Sequence, residues 1–226
     1  TCFQAFKIVK MNPTKQVKIF TANRRNLIRT ENFNICETIN SKNSFGSLIH
    51  FSLNILKSNQ QTFLNYSENV LSLIIPTFGG IEVAAGSDNF VHISQFYSEF
   101  KPKSSLLRIN NPYEDYEISF LRIDFLAGMG YKKITDFNLK PNSLNLIFQN
   151  YAINASLKMG KYEGRQKGES RVQFNHNTFI YVVSGAFEVN DRLLETGDGI
   201  CFWETDLIEF EALSNNAVFL IIEVSA

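Results

Sequence analysis

The stretch Phe179 to Trp203, FIYVVSGAFEVNDRLLETGDGICFW, leaves the chain few choices of architecture. Phe179 to Val183 is apolar and β-branched, and Gly185 breaks it. Phe187 to Val189 is short, Asn190-Asp191 is a hairpin turn pair, and Arg192 to Glu195 returns. Gly197-Asp198-Gly199 turns again, and Ile200 to Trp203 opens straight out of that turn. Short strands joined by tight Gly, Asn and Asp turns predict an antiparallel barrel or jelly roll.

An earlier stretch has the same order. Gly79-Gly80-Ile81-Glu82-Val83 aligns with Gly185-Ala186-Phe187-Glu188-Val189 at an offset of 106 residues, Gly79 against Gly185. Each is preceded by an apolar strand, Val70 to Ile75 in one case and Phe179 to Val183 in the other. Each is followed by a turn, 85 to 88 and Asn190-Asp191. The repeat predicts an all-β chain of two similar barrels in tandem, with few short helices.

The rest of the chain fits this plan. Gln16 to Thr21 reads as a first strand, Asn23 to Glu37 is polar and basic, and Ser47 to Leu56 is a buried strand. Pro76 and Gly79-Gly80 are expected to end the strand Val70 to Ile75. Asn89 onward alternates, but Phe96 is out of phase, which puts a strand end near Gln95. Leu106 to Ile109 is a strand, and Tyr116 to Phe125 alternates with a shift of phase between Phe120 and Leu121. Gly128, Gly130, Pro141 and the polar run 140 to 143 read as a linker, which divides the chain into 1–135 and 136–226. Leu144 to Ala155 opens the second unit, and Val218 to Val224 closes the chain as a very apolar strand.

Charge and cysteine content narrow the function classes. Lysine plus arginine equal aspartate plus glutamate at 22 each, so nothing calls for a nucleic acid or an anionic membrane. The charge is unevenly spread. Residues 1 to 30 hold Lys7, Lys10, Lys15, Lys18, Arg24, Arg25 and Arg29 without an acid, and residues 193 to 226 hold seven acids without a base. Two solvated faces are the simpler reading, and packing of the N-terminal segment on the second barrel is the alternative. Cys2, Cys36 and Cys201 form no CxxC and no disulfide framework, so a reducing, cytoplasmic location is expected. No apolar run reaches the roughly 18 residues of a membrane span, and no signal peptide is visible. Met11 could serve as a natural start.

Taken together, these residues resemble the pirin-like bicupins, the group that includes bacterial quercetin 2,3-dioxygenases. Asn26 to Phe51, Val70 to Phe100 and Tyr116 to Phe125 resemble the N-terminal cupin of that family. Phe179 to Val224, with Gly185-Ala186-Phe187 and Gly197-Asp198-Gly199, is similar to its quercetinase-type C-terminal cupin. The resemblance implies two tandem jelly-roll cupins, expected as a monomer. It also implies one metal (Fe, Mn, Ni, Cu or Zn) in the N-terminal cup, held by a His-x-His pair and a later His and Glu. Several imidazoles or carboxylates must converge for such a site. In this chain the first pair falls on Phe63 and Asn65 and the later pair in Arg108-Ile109-Asn110-Asn111, so no imidazole remains and no metal cofactor is expected. The three histidines, His50, His92 and His176, are read as ordinary hydrogen-bonded or exposed residues.

Other constellations carry less. Glu68, Glu82 and Glu99 read as solvated faces. Residues 160 to 168, GKYEGRQKG, lack the Gly-Lys-Ser/Thr ending of a phosphate loop. The sequons at Asn65 and Asn154 mean nothing without secretion. No serine or cysteine nucleophile is supported, and Trp203 reads as packing between the barrels. The expected function is therefore a metal-free protein that binds a small, aromatic molecule or a protein partner. Its pocket residues would be Phe63, Asn65, Asn110 and Asn111, with Phe63 as a possible plug and no catalytic residue. The alternative is a quercetinase-like dioxygenase with a shifted metal site. Fold analogy alone decides neither.

Overall fold

A computed structural model describes residues 17–83, 89–173 and 175–226. The turn expected at 85–88, Cys2, Met11 and the basic residues Lys7, Lys10 and Lys15 lie outside the described residues. Among those described, the chain is almost entirely strand, and its helical element is one 3-10 turn, Ala22–Arg24.

The strands form four sheets. Seven make a large sheet: β2 (Asn26–Arg29), β3 (Phe33–Ile39), β4 (Leu48–Leu56), β6 (Val70–Phe78), β9 (Gln95–Lys101), β11 (Ile118–Leu126) and β12 (Lys133–Asp136). Their order is β12-β9-β6-β11-β4-β3-β2. A small sheet faces it, made of β5 (Gln61–Asn65), β7 (Ile81–Val83), β8 (Phe90–Val91) and β10 (Leu106–Asn110) in the order β5-β10-β7-β8. The second unit repeats the plan. Its large sheet takes β1 (Val17–Phe20), β13 (Ser143–Asn150), β14 (Ala155–Tyr162), β16 (His176–Ser184), β19 (Gly199–Phe202) and β21 (Ala217–Ser225), ordered β1-β19-β16-β21-β14-β13. Its small sheet is β15 (Lys167–Arg171), β17 (Ala186–Val189), β18 (Arg192–Glu195) and β20 (Leu207–Ala212), ordered β15-β20-β17-β18. The 106-residue offset read from the glycines extends to whole strands, since β6 starts at Val70 and β16 at His176.

Three apolar layers separate the four sheets. One fills the first cup with Val70, Ile74, Ile118 and Phe120, and another fills the second with Ile180, Val182, Phe187 and Phe219. The third lies between the two large sheets and joins Leu71, Leu73, Ile75, Leu121, Ile123 and Phe125 to Phe179, Tyr181, Leu220, Ile222 and Val224. The central strands are thus buried on both faces, which is why they read as continuous apolar runs rather than alternating ones. The apparent phase shift in β11 has this origin: Ile118 and Phe120 face the cup while Leu121, Ile123 and Phe125 face the other unit. Trp203 packs edge-on to Phe45, ring centroids 6.0 Å apart, against the layer between units. Cys201 is buried there too, and burial pushes its thiol pKa up.

Several boundaries differ from the sequence reading. β6 runs through Pro76, because its pairing with β9 stops at Ile74 and the missing N–H interrupts no bond on that side. A strand begins rather than ends at Gln95, with Phe96 turned toward the other unit. The largest difference concerns the first strand. β1 pairs with β19, Val17 opposite Phe202 and Phe20 opposite Gly199, so residues 17–20 belong to the second unit's sheet rather than to the first, as the division at 135 had it. Residues 17–20 therefore pack on the second barrel, through main-chain pairing. Ala22 N donates to Asp198 Oδ1 at 2.7 Å and Arg25 Nη1 to the Tyr181 hydroxyl at 3.0 Å. No ion pair among the described residues joins the basic and acidic segments. The first unit's own large sheet ends in β12, which pairs with β9, Lys133 opposite Ser98.

Candidate functional site

The first cup is apolar at one end and polar at the other. β11 supplies the polar end because Arg122 and Asp124 share the inward face with Ile118 and Phe120. In register, Asp124 sits opposite Ser72 of β6 on one side and His50 of β4 on the other. Ser72 Oγ donates to Asp124 Oδ1 at 2.6 Å, and the Tyr66 hydroxyl donates to Ser72 Oγ at 3.0 Å. Arg122 Nε donates to Asp124 Oδ2 at 2.8 Å, with Nη2 at 2.6 Å from the same oxygen and 2.9 Å from the Asn65 carbonyl. The guanidinium lies over the Tyr66 ring, 4.4 Å from its centroid. Asp124 is 2% exposed and fully engaged, so the charge is buried only because it is paired and hydrogen-bonded. Burial, then the nearby Asp124 carboxylate, drives the Tyr66 pKa well above its ordinary value, so the hydroxyl stays a donor.

Beside this network, His50 Nε2 lies 2.9 Å from Ser52 Oγ and Nδ1 lies 3.9 Å from Glu37 Oε1. Burial lowers the His50 pKa, outweighing the opposing pull of Asp124 and Glu37, while Arg122 adds to the lowering. The imidazole is therefore neutral near pH 7. Above these groups opens a cavity of about 600 Å3. Glu37, His50, Asn65, Ser67, Arg122 and Asp124 line its polar side, and Ile49, Val70 and Leu126 its apolar side.

Of the four pocket residues expected from sequence, only Asn65 borders this cavity. Phe63 points outward, 50% exposed, and plugs nothing, because Leu64 and Tyr66 take the inward positions of that segment. Asn110 lies at the far end of β10, where it donates to Glu82 Oε2 at 3.3 Å and leaves its own Oδ1 buried without a partner. Asn111 is a loop staple. Its amide donates to the carbonyls of Leu56, Lys57 and Tyr116, and its oxygen accepts from Tyr113 N. β10 and β5 run antiparallel with Asn65 opposite Leu106 and Asn110 opposite Gln61, so Asn65 and Asn110 sit at opposite ends of that pairing. The sequence reading missed Arg122 and Asp124, whose signal was two same-face charges inside an otherwise apolar strand.

The residues do not fit the metal that the fold family implies. The cup offers one imidazole, hydrogen-bonded to Ser52, and one deeply buried carboxylate, locked by Arg122 and Ser72. Among the described residues no group of three or more His, Cys, Asp or Glu is arranged to hold a metal ion. His92 lies against the Phe90 ring at 4.6 Å, and His176 opens β16 in the other unit.

The second cup has a matching acid. Glu223 of β21 sits opposite Thr178 of β16 and Ser156 of β14, the register position that Asp124 holds in the first cup. Its partner comes from a neighbouring strand: Lys158 Nζ lies 2.5 Å from Glu223 Oε1 and 3.1 Å from Ser170 Oγ.

Comparison with known proteins agrees with this architecture. Residues 150–224 match the family model of the quercetinase C-terminal cupin domain. No curated protein matches the chain significantly. Among solved structures, the bacterial pirin YhhW of Escherichia coli, in complex with nickel(II), superposes with a TM-score of 0.80 at 13% identity. That match covers 93% of this chain and 99% of the other. A quercetin 2,3-dioxygenase from Acinetobacter baumannii superposes at 0.70 with 12% identity, covering 93% and 87%. No helix among the described residues is long and apolar enough to cross a membrane. The chain has a pirin-like bicupin fold, with a quercetinase-type C-terminal cupin and no cluster of metal-ligating side chains among its described residues.

Proposed function

We propose that the first cup binds a small hydroxylated molecule without a metal. The observation that carries this reading is the 600 Å3 cavity above the buried Arg122–Asp124 pair, within the size range of small-molecule sites. Its lining is half polar and half apolar, which suits a ligand with hydroxyls on one edge and an apolar face on the other. Glu37 and the neutral His50 accept from hydroxyls, and the side chains of Asn65 and Ser67 both donate and accept. The buried ion pair holds the floor rigid, so little ordering is left for binding to impose. Polyhydroxylated aromatics have this chemistry.

The test is titration calorimetry with quercetin as probe, on wild type and on Asn65→Trp, which fills the mouth from an exposed position. Saturable binding that is lost in Asn65→Trp is the expected result. Absence of saturation in wild type, or undiminished binding in the filled variant, overturns the proposal. Elemental analysis of the same protein separates it from the dioxygenase reading. About one metal per chain, with oxygen uptake on quercetin, would replace binding with catalysis.

A further inference from the structure

A second cavity, of about 300 Å3, lies between the two large sheets. It is centred on the pseudo-twofold relation of the units, since its lining residues come in equivalent pairs. Thr77 of β6 corresponds to Val183 of β16 by the 106-residue offset. Ser119 lies opposite Phe78, as Val218 lies opposite Ser184, so these two also correspond. Leu53 lies opposite Leu121 and Met159 opposite Leu220, which makes a third pair. Phe137 and Leu139, from the segment that joins the units, complete the wall, held by Phe137 N donating to the Ser94 carbonyl at 2.8 Å.

The pairs are equivalent in position and unlike in chemistry. The first unit contributes hydroxyls, Thr77 and Ser119, with their oxygens 2.7 Å apart. The second places Val183 and Val218 at the equivalent positions, with Met159, Tyr181, Ser184 and Thr196 elsewhere on its side of the cavity. Two hydroxyls hold two protons, and the bond between them uses one, so the pair keeps a free donor and free lone pairs. The cavity is therefore a largely apolar slot with this hydroxyl pair set into its first-unit side.

We propose that this slot is a second binding site, distinct from the first cup, for a flat mono- or bicyclic aromatic with one hydroxyl. The ring lies against Val183, Val218 and Met159, and its hydroxyl meets the Thr77–Ser119 pair. An occupant touches both units and so ties them together.

The probe is 1-naphthol, followed by its fluorescence on titration with the intact chain, with naphthalene as the partner lacking the hydroxyl. Wild type is expected to bind both at one site per chain, with 1-naphthol preferred by about tenfold, the worth of one well-made hydrogen bond. Thr77→Val combined with Ser119→Ala, which removes both hydroxyls, is expected to abolish that preference and leave naphthalene binding in place. Leu139→Trp, at a half-buried wall position, is expected to exclude both probes while thermal unfolding stays cooperative. No saturable binding of either probe to wild type overturns the proposal. So does an unchanged preference in the Thr77→Val, Ser119→Ala double variant, or wild-type binding in folded Leu139→Trp. Because Asn65→Trp blocks only the first cup, its retention of 1-naphthol separates this site from that one, and loss of 1-naphthol there also overturns the proposal.

Discussion

The two cups place a buried acid at the same register position and neutralise it differently. In the first, Asp124 is met by Arg122, two residues away on the same strand, and the side chains are 2% and 12% exposed. In the second, Glu223 is met by Lys158 from the adjacent strand, whose side chain is 24% exposed. A same-strand pair leaves the rest of the cup floor to other groups, here Ser72, Tyr66 and His50, and a cavity opens above them. A cross-strand lysine instead spans Glu223 and Ser170, with its side chain reaching partly into solvent. The lesson is that one fold position can build a floor or a strut, depending on where the countercharge is rooted.

The comparison can be broken most directly by removing each acid. Asp124→Ala leaves a largely buried guanidinium without its carboxylate and is expected to cost about 3–5 kcal/mol. Glu223→Ala leaves an ammonium that can turn toward water, for which about 1–3 kcal/mol is expected. Urea unfolding of both variants decides it, and equal losses would mean that the two pairs are equally sealed.

A smaller effect sharpens the repeat itself. Gly79 and Gly185 hold φ of +71° and +80° at the end of equivalent strands. A Cβ would meet Ile118 Cγ2 at the first and Ser214 Oγ and Ala217 at the second. Alanine at either is expected to destabilise by about 1–3 kcal/mol, with Gly185→Ala the worse because Ala217 backbone is also in the way. Thermal melts of the two variants check the order.

The smallest effect belongs to His50. Its pKa is lowered in the folded state, chiefly by burial, so the unfolded chain takes up a proton that the folded chain refuses. The stability associated with this is complete above the unfolded value near 6.5 and is lost as pH falls from there toward the folded value. The resulting slope is at most about 1.4 kcal/mol per pH unit. His50→Gln is expected to flatten unfolding free energy against pH just below 6.5, and an unchanged slope would assign the dependence to other groups.

These contrasts also show what the sequence made legible. The glycine offset carried the tandem architecture, because tight turns demand particular residues and those residues recur. Pocket residues were less legible. The resemblance put the family's ligand positions at Phe63 and Asn65 on β5 and at the end of β10, whereas the polar floor is built from β11. There Arg122 and Asp124 were visible as charges in an apolar strand, but a strand buried on both faces has no period-2 signal to say which side they take. Glu223 was hidden in the same way within Val218 to Val224. The exchanged strand β1 was hinted at by the lopsided charge, yet its pairing is main-chain hydrogen bonding, which any side chains permit.

That exchange bears on how the chain comes off the ribosome. β1 is made before its partner β19, which emerges about 180 residues later, on the order of 10–40 s at ordinary elongation rates. Until then the first strand has an open edge and no sheet to join, and the first unit waits for β12 to complete its own. The second cup therefore cannot finish until β19 pairs with a strand made about 180 residues earlier, a contact of high order, whereas the first unit's sheet ends in β12 and needs no strand of the second unit.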